Sequence, residues 1–83
     1  MKPGELNPNS RAVLAILAAH ENAAGFSFIN AALLSKLADI PLVAVRRAAR
    51  VLCRRNLAEY GYGGYAAMAA GRKWVRANGE EKA

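Results

Sequence analysis

Apolar residues recur every three or four positions along much of this chain, the spacing that places them on one face of an α-helix. The first such run follows Pro8 and carries, in order, Val13, Leu14, Ile16, Leu17 and His20. Asn9 or Ser10 is predicted to cap this first helix, because both side chains can accept a backbone N–H at a helix start. Gly25 is predicted to end it in a left-handed conformation.

A second, shorter helix is predicted over residues 31–38. Residues 26–29 alternate only briefly, so they form either one short strand or an extended connection. Asn30 follows as the helix cap, and the leucines at positions 33, 34 and 37 are expected to face inward. Pro41 disfavours helical geometry at Ile40, so residues 39–41 are predicted to break the chain into a tight turn.

The third predicted helix, 41–55, separates its residues into two opposite faces. Placed at 100° per residue, the apolar side holds Val45, Ala48, Ala49 and Leu52, with Leu42 at its edge. The opposite side is an arc of roughly 100° that contains four arginines, namely Arg46, Arg47, Arg50 and Arg54. The stretch from 41 to 56 carries five arginines and no acidic residue. Asn56 is expected to take the left-handed position after the helix.

A hairpin and a fourth helix complete the predicted order of elements. Residues 57–60 and 65–68 flank a glycine-rich turn at 61–64, which is typical of two short antiparallel strands. Tyr60 and Tyr65 should face each other across that hairpin and pack together. The last helix is predicted over 69–77, closed by Asn78 and Gly79, while residues 1–8 form a flexible arm and 80–83 a disordered tail.

Composition and charge narrow the class of protein. The 83 residues carry a net charge of +6, which favours a polyanionic partner such as DNA. No apolar run approaches the ~20 residues needed to span a bilayer, and the start does not resemble a signal peptide. The single cysteine, Cys53, allows no internal disulfide and fits the reducing cytoplasm. Nineteen of the residues are alanine, so the core should be thin and dimerisation is favoured.

The stretch from Leu37 to Leu57 resembles the winged helix-turn-helix DNA-binding domain of bacterial and phage transcription regulators. The similarity covers residues 10–75. It is carried mainly by Leu37-Ala38, Ile40-Pro41, Val45-Arg46-Arg47, Leu52 and Asn56-Leu57. A weaker similarity follows at Tyr65 and Gly71-Arg72. It implies a mainly α fold with a small β-hairpin: a three-helix core, a short wing and a C-terminal helix, as one domain over 9–79. The chain departs from the family pattern at Ala44 and Met68, where threonine is usual, and in a wing tip without lysine or arginine.

This resemblance implies that helix 41–55 enters the major groove of double-stranded DNA. Leu42, Val43, Arg46 and Arg47 lie near its entering end and are expected to contact bases, whereas Arg50 and Arg54 should meet phosphates. Tyr62 at the wing tip is expected either to hydrogen-bond a phosphate or to stack on a partner. The protein would act as a repressor-like regulator in the cytoplasm, on the nucleoid, and as a homodimer joined through Trp74 of the last helix.

Two other functions stay open at this stage. The wing without basic residues favours a phage-type protein-interaction module that reuses the fold to bind a host protein complex, and charge alone also permits a nonspecific DNA-binding accessory protein. No catalytic activity, metal or cofactor is expected, because the sequence has no nucleophile–base pair and no phosphate-cradling glycine loop. His20 stands without a second histidine and is expected at the helix surface or the edge of the core.

Overall fold

The computed structural model describes residues 6–20 and 28–79. In this part of the chain, four helices and a two-stranded antiparallel hairpin follow the order α1 (Pro8–Ala19), α2 (Ala31–Ala38), α3 (Leu42–Arg54), β1 (Ala58–Gly61), β2 (Gly64–Ala67) and α4 (Ala69–Gly79). The predicted class, mainly helical with a small hairpin, is confirmed. The predicted helix end at Gly25, the strand or connection at 26–27 and the tail at 80–83 lie outside the described residues.

Helix α1 begins earlier than the sequence analysis predicted. Its cap is Asn7, whose Oδ1 accepts the backbone N–H of Ser10 at 2.8 Å, so the predicted cap at Asn9 or Ser10 is wrong. Pro8 occupies the first turn, where its missing N–H would have no helical partner in any case. Leu6, just before the cap, is buried in the core. The last residues of the predicted arm 1–8 are therefore attached to the domain.

Helix α2 has the predicted bounds but a different orientation about its axis. The Oδ1 atom of Asn30 caps it by accepting the N–H of Leu33 at 2.7 Å, and Asp39 ends it in the left-handed region at φ 58°. Of the three leucines expected to face inward, only Leu34 is buried, whereas Leu33 is 44% exposed and Leu37 is 45% exposed. The small residues Ala31 and Ala38 share the inner side with Leu34, which lets this short helix lie close to its neighbours.

Helix α3 divides into two faces as predicted. Val45, Ala48, Ala49 and Leu52 are buried, and the four arginines of the opposite face are exposed. Pro41 is the cap residue of the helix and Arg55 follows its last turn, so the helix is one residue shorter at each end than predicted. Asn56 adopts φ 62°, which confirms its predicted left-handed conformation and turns the chain into the hairpin.

Strands β1 and β2 pair in a register that places Tyr60 opposite Tyr65. Tyr62 and Gly63 form the two-residue turn, with φ values of 51° and 74°. Positive φ at both central residues is what a type I′ hairpin turn requires. Ile29 forms an isolated antiparallel bridge with Tyr65 through N–H···O distances of 2.8 and 2.9 Å. The connection before α2 is thus attached to strand β2 through one residue pair, Ile29 and Tyr65.

The core lies between α1 and the other helices, with the base of the hairpin against it. Helix α1 contacts α2, α3, α4 and β2. The fully buried large side chains of the described residues come from the first three helices: Val13, Leu14, Leu17, Leu34, Val45 and Leu52. Ala58 and Ala67 at the base of the hairpin join this core, which therefore connects the hairpin to α3.

Candidate nucleic-acid interface

The outer face of α3 combines exposed cations with exposed apolar side chains. Arg46, Arg47, Arg50 and Arg54 are all exposed, and the helix contains no acidic residue. At its first turn Leu42 is 39% exposed and Val43 is 64% exposed. The structure therefore brings six of the seven sequence-predicted site residues onto one helix face, with the apolar pair at the N-terminal end.

Open grooves border α3 on both sides. One groove, of ≈ 500 Å³, runs between α3 and the start of α1 and is lined by Asn7, Pro8, Val43 and Arg47 among others. The other, of ≈ 480 Å³, runs between α3, the start of α2 and the hairpin, with Arg46 and Tyr60 in its walls. The exposed face of α3 is therefore flanked by concave surface on both sides.

The hairpin tip, which has no lysine or arginine, presents aromatic rings instead. Tyr62 at the turn is 92% exposed, and its ring meets that of Phe28 edge to face at 5.0 Å between centroids. Tyr60 and Tyr65 meet at 5.1 Å, as the predicted cross-strand pairing requires. Tyr60 is nevertheless 65% exposed. The predicted packing of Tyr60 against Tyr65 is confirmed, and Tyr60 still leaves most of its surface open to solvent.

Cations outside α3 have other surroundings. The Arg11 guanidinium lies over the Trp74 ring at 5.8 Å, and Arg72 Nη1 donates to the carbonyl oxygen of Ala67 at 3.0 Å. Both arginines thus contact their own domain, whereas Lys36 is exposed on α2 and Lys73 and Arg76 are exposed on α4. Among the described helices, α3 therefore carries the largest group of exposed positive charges on one face.

Cys53 lies beside this face but is poorly suited to redox sensing. Its side chain is half-buried, and burial followed by the Glu59 carboxylate raises the pKa of the thiol above its usual value. A protonated thiol is a weak nucleophile. The nearby Arg50 shares a shallow pocket with Cys53, yet the pKa is raised rather than lowered.

The remaining titratable candidates form no site. His20 is exposed, with its Nδ1 atom 2.8 Å from the carbonyl oxygen of Ile16. In residues 6–20 and 28–79, no group of three or more histidine, cysteine, aspartate or glutamate side chains is arranged to hold a metal ion. Among the same residues, no helix has the length and apolar character to cross a membrane.

Comparison of the chain with family models, with curated proteins and with solved structures finds no match. The interpretation of the α3 face therefore depends on its own geometry and chemistry.

Proposed function

We propose that this protein binds double-stranded DNA by inserting α3 into the major groove, and that it acts as a transcription regulator. The observation that carries the proposal is the outer face of α3, where four exposed arginines share one side of the helix with no acid among them. A major groove is about 12 Å wide and admits one helix. The counter-ions released from DNA phosphates make such a cationic face a source of affinity.

The two ends of α3 have different chemistry, which supports different roles. Arg46 and Arg47 follow the exposed Leu42 and Val43 near the N-terminal end, where a recognition helix reaches base edges. Arginine pairs bidentately with guanine O6 and N7, and aliphatic side chains contact the thymine methyl group. We therefore expect a preferred site that contains guanine beside thymine. Arg50 and Arg54 are placed further along and would contact phosphates.

The arrangement around α3 is compatible with a winged helix-turn-helix, in which α1, α2 and α3 form the core and β1 and β2 the wing. The tight turn between α2 and α3 supports this interpretation, since only residues 39–41 join the two helices and Asp39 among them is left-handed. A regulator of this kind would work on the nucleoid. We propose homodimerisation through α4 as the accompanying assembly, with two copies of α3 about 34–36 Å apart on a palindromic site.

Salt dependence tests the contribution of the arginines. Binding to a fluorescent duplex is measured by anisotropy between 50 and 200 mM salt. The two phosphate contacts assigned to Arg50 and Arg54 give a slope of about −1.8 in log K against log salt, or about a tenfold loss of affinity over that range. Arg50→Gln and Arg54→Gln should each flatten the slope by about 0.9, whereas Lys73→Gln, an exposed charge on α4, should leave it unchanged. An equal effect of all three variants would contradict the α3 assignment.

Selection of bound duplexes from a random pool tests sequence recognition. On the selected site, Arg46→Ala or Arg47→Ala should cost about 1–3 kcal/mol, with a smaller loss on random duplex. Equal losses on both would reassign Arg46 and Arg47 to contacts with the DNA backbone.

A protein-interaction module is the second candidate function. The exposed Leu33 and Leu37 on α2 favour it, because they form an apolar pair one helical turn apart. Leu33→Ser and Leu37→Ser should leave DNA binding unchanged under the proposal. If no duplex binds at low salt, the interaction module becomes the better interpretation.

A further inference from the structure

One apolar side chain lies in the middle of the arginine face of α3. Val43 is 64% exposed, more than any other valine, leucine or isoleucine that the structure describes. Placed at 100° per residue, it falls between Arg50 and Arg54, inside the arc of the four arginines. Leu42 lies about 40° outside that arc, on the side of α3 that borders the hairpin. Val43 is therefore the apolar group that α3 presents most directly to the floor of a groove.

The fold itself does not account for a valine at position 43. The side chain is not among the residues that pack on the core of the described part of the chain. A β-branched side chain also loses rotamer freedom in a helix, so alanine would favour α3 more strongly. An exposed valine that helps neither the core nor the helix is available for an apolar contact with a ligand.

Val43 is paired with an arginine one helical turn later. Arg47 follows it by four residues, which places the two side chains about 6 Å apart along the helix axis and on the same side. Both line the groove of ≈ 500 Å³ between α3 and the start of α1, and none of the residues that line this groove is acidic. An apolar contact and a bidentate hydrogen-bond donor thus lie next to each other.

The floor of the major groove offers one kind of apolar group, the methyl group on C5 of a pyrimidine. Thymine carries this methyl group, whereas cytosine presents only its amino group. Methylation of cytosine at C5 adds the same methyl group and leaves every hydrogen-bonding group of the base pair unchanged. A cytosine–guanine step therefore offers both a methyl group and the O6 and N7 atoms of guanine only when its cytosine is methylated.

We propose that the protein recognises 5-methylcytosine followed by guanine, with Val43 on the methyl group and Arg47 on the guanine, so that cytosine methylation strengthens binding. The inference rests on the proposed duplex binding by α3 and adds the modification state of the DNA. Burial of one methyl group corresponds to about a fourfold gain in affinity.

The test uses one duplex in three chemical states. It is selected from a pool with random flanks around a central cytosine–guanine step methylated on both strands. The selected duplex is then synthesised with cytosine, 5-methylcytosine or 5-hydroxymethylcytosine at that step, and binding is measured by anisotropy at low salt. The methylated duplex should bind about fourfold more tightly than the unmodified one. The hydroxymethylated duplex should lose this gain, because its hydroxyl group would lie against Val43 without a hydrogen-bond partner.

Equal affinity for the methylated and unmodified duplexes would overturn the inference. An equal gain from both modifications would also overturn it, since a polar group would then serve as well as a methyl group.

A variant of Val43 separates direct contact from an effect of methylation on DNA shape. Val43→Ala should fold with an unchanged or higher melting temperature, lose most of the methylation gain and keep its affinity for the unmodified duplex. Leu33→Ala, an exposed leucine on α2, is the control and should keep the full gain. A full gain in Val43→Ala would show that the methyl group acts through the shape of the DNA, which refutes the contact.

Nuclear magnetic resonance measures the contact directly. In the saturated complex, a nuclear Overhauser effect should connect the 5-methyl protons of the cytosine with the methyl protons of Val43, and its absence would refute the contact. Duplex binding that Arg50→Gln weakens, without any effect of methylation, would refute this inference alone. No binding of any of the three duplexes at low salt would refute the proposed function instead.

Discussion

Replacing Gly71 by alanine should destabilise this protein, although alanine is the better helix former. Gly71 is buried in the first turn of α4, where the helix crosses the base of the hairpin. A Cβ atom added there would lie 2.0 Å from the carbonyl oxygen of Leu57 and 3.0 Å from Cδ1 of Leu14. The Leu14 side chain can turn away, but a backbone oxygen at that distance must shift.

The Leu57 backbone cannot shift without loss of hydrogen bonds. Its oxygen accepts the N–H of Met68 at 2.9 Å, and its own N–H donates to Leu52 at 2.9 Å. One weakened hydrogen bond costs about 1 kcal/mol, and a displaced α4 adds about 1–3 kcal/mol of overpacking. The helix preference of alanine returns about 1 kcal/mol. The net loss is about 2 kcal/mol, a substantial part of the roughly 4–12 kcal/mol expected for a domain of this length.

Thermal and urea unfolding of Gly71→Ala measure this loss directly. A change of about 2 kcal/mol should lower the melting temperature by roughly 8–16 °C. Ala70→Gly, at the exposed preceding position, is the matched control and should cost only about 1 kcal/mol, through helix preference alone. If Gly71→Ala were as stable as the wild type or more so, the close approach of α4 to Leu57 would not constrain the fold, and the reasoning would be refuted.

Three further predictions follow from single side chains. Ser10→Ala should stabilise the protein by about 1 kcal/mol in urea unfolding, because the buried hydroxyl has no hydrogen-bond partner among the described residues; a lower stability would reveal a partner. The raised pKa of Cys53 predicts slow alkylation by iodoacetamide at pH 7. It also predicts that the neutral thiol contributes to stability at low pH, and that this contribution is lost as the pH rises through the folded-state pKa. Glu59→Gln should move the alkylation profile to lower pH, and an unmoved profile would contradict the contribution of that carboxylate. Trp74→Ala should cost about 2 kcal/mol of stability, since the indole packs against the core and under Arg11. Sedimentation of the wild type and of this variant tests dimerisation through α4. A wild type that remains monomeric at high concentration would contradict that dimerisation.

Features set within a few residues were predictable from the sequence. The cap at Asn30, the turn at Asp39 and the left-handed Asn56 depend on side-chain hydrogen bonds and steric limits that act over at most four positions. The two faces of α3 likewise follow from 100° per residue, and the four arginines were correctly expected on one side. The cap of α1 was misplaced because Asn7 and Asn9 are both suitable and both adjoin Pro8. Local chemistry alone did not choose between them.

Tertiary contacts decided the rest of the candidate site. The hydrophobic pattern of α2 is satisfied by several orientations, and only its packing on α1 and α3 turned Leu34 and the small alanines inward and left Leu33 and Leu37 outside. The need for glycine at position 71 likewise depends on Leu57, fourteen residues away. A sequence pattern specifies which side chains share a face. Which face is buried, and how closely two backbones approach, is settled by the free energy of packing distant segments together.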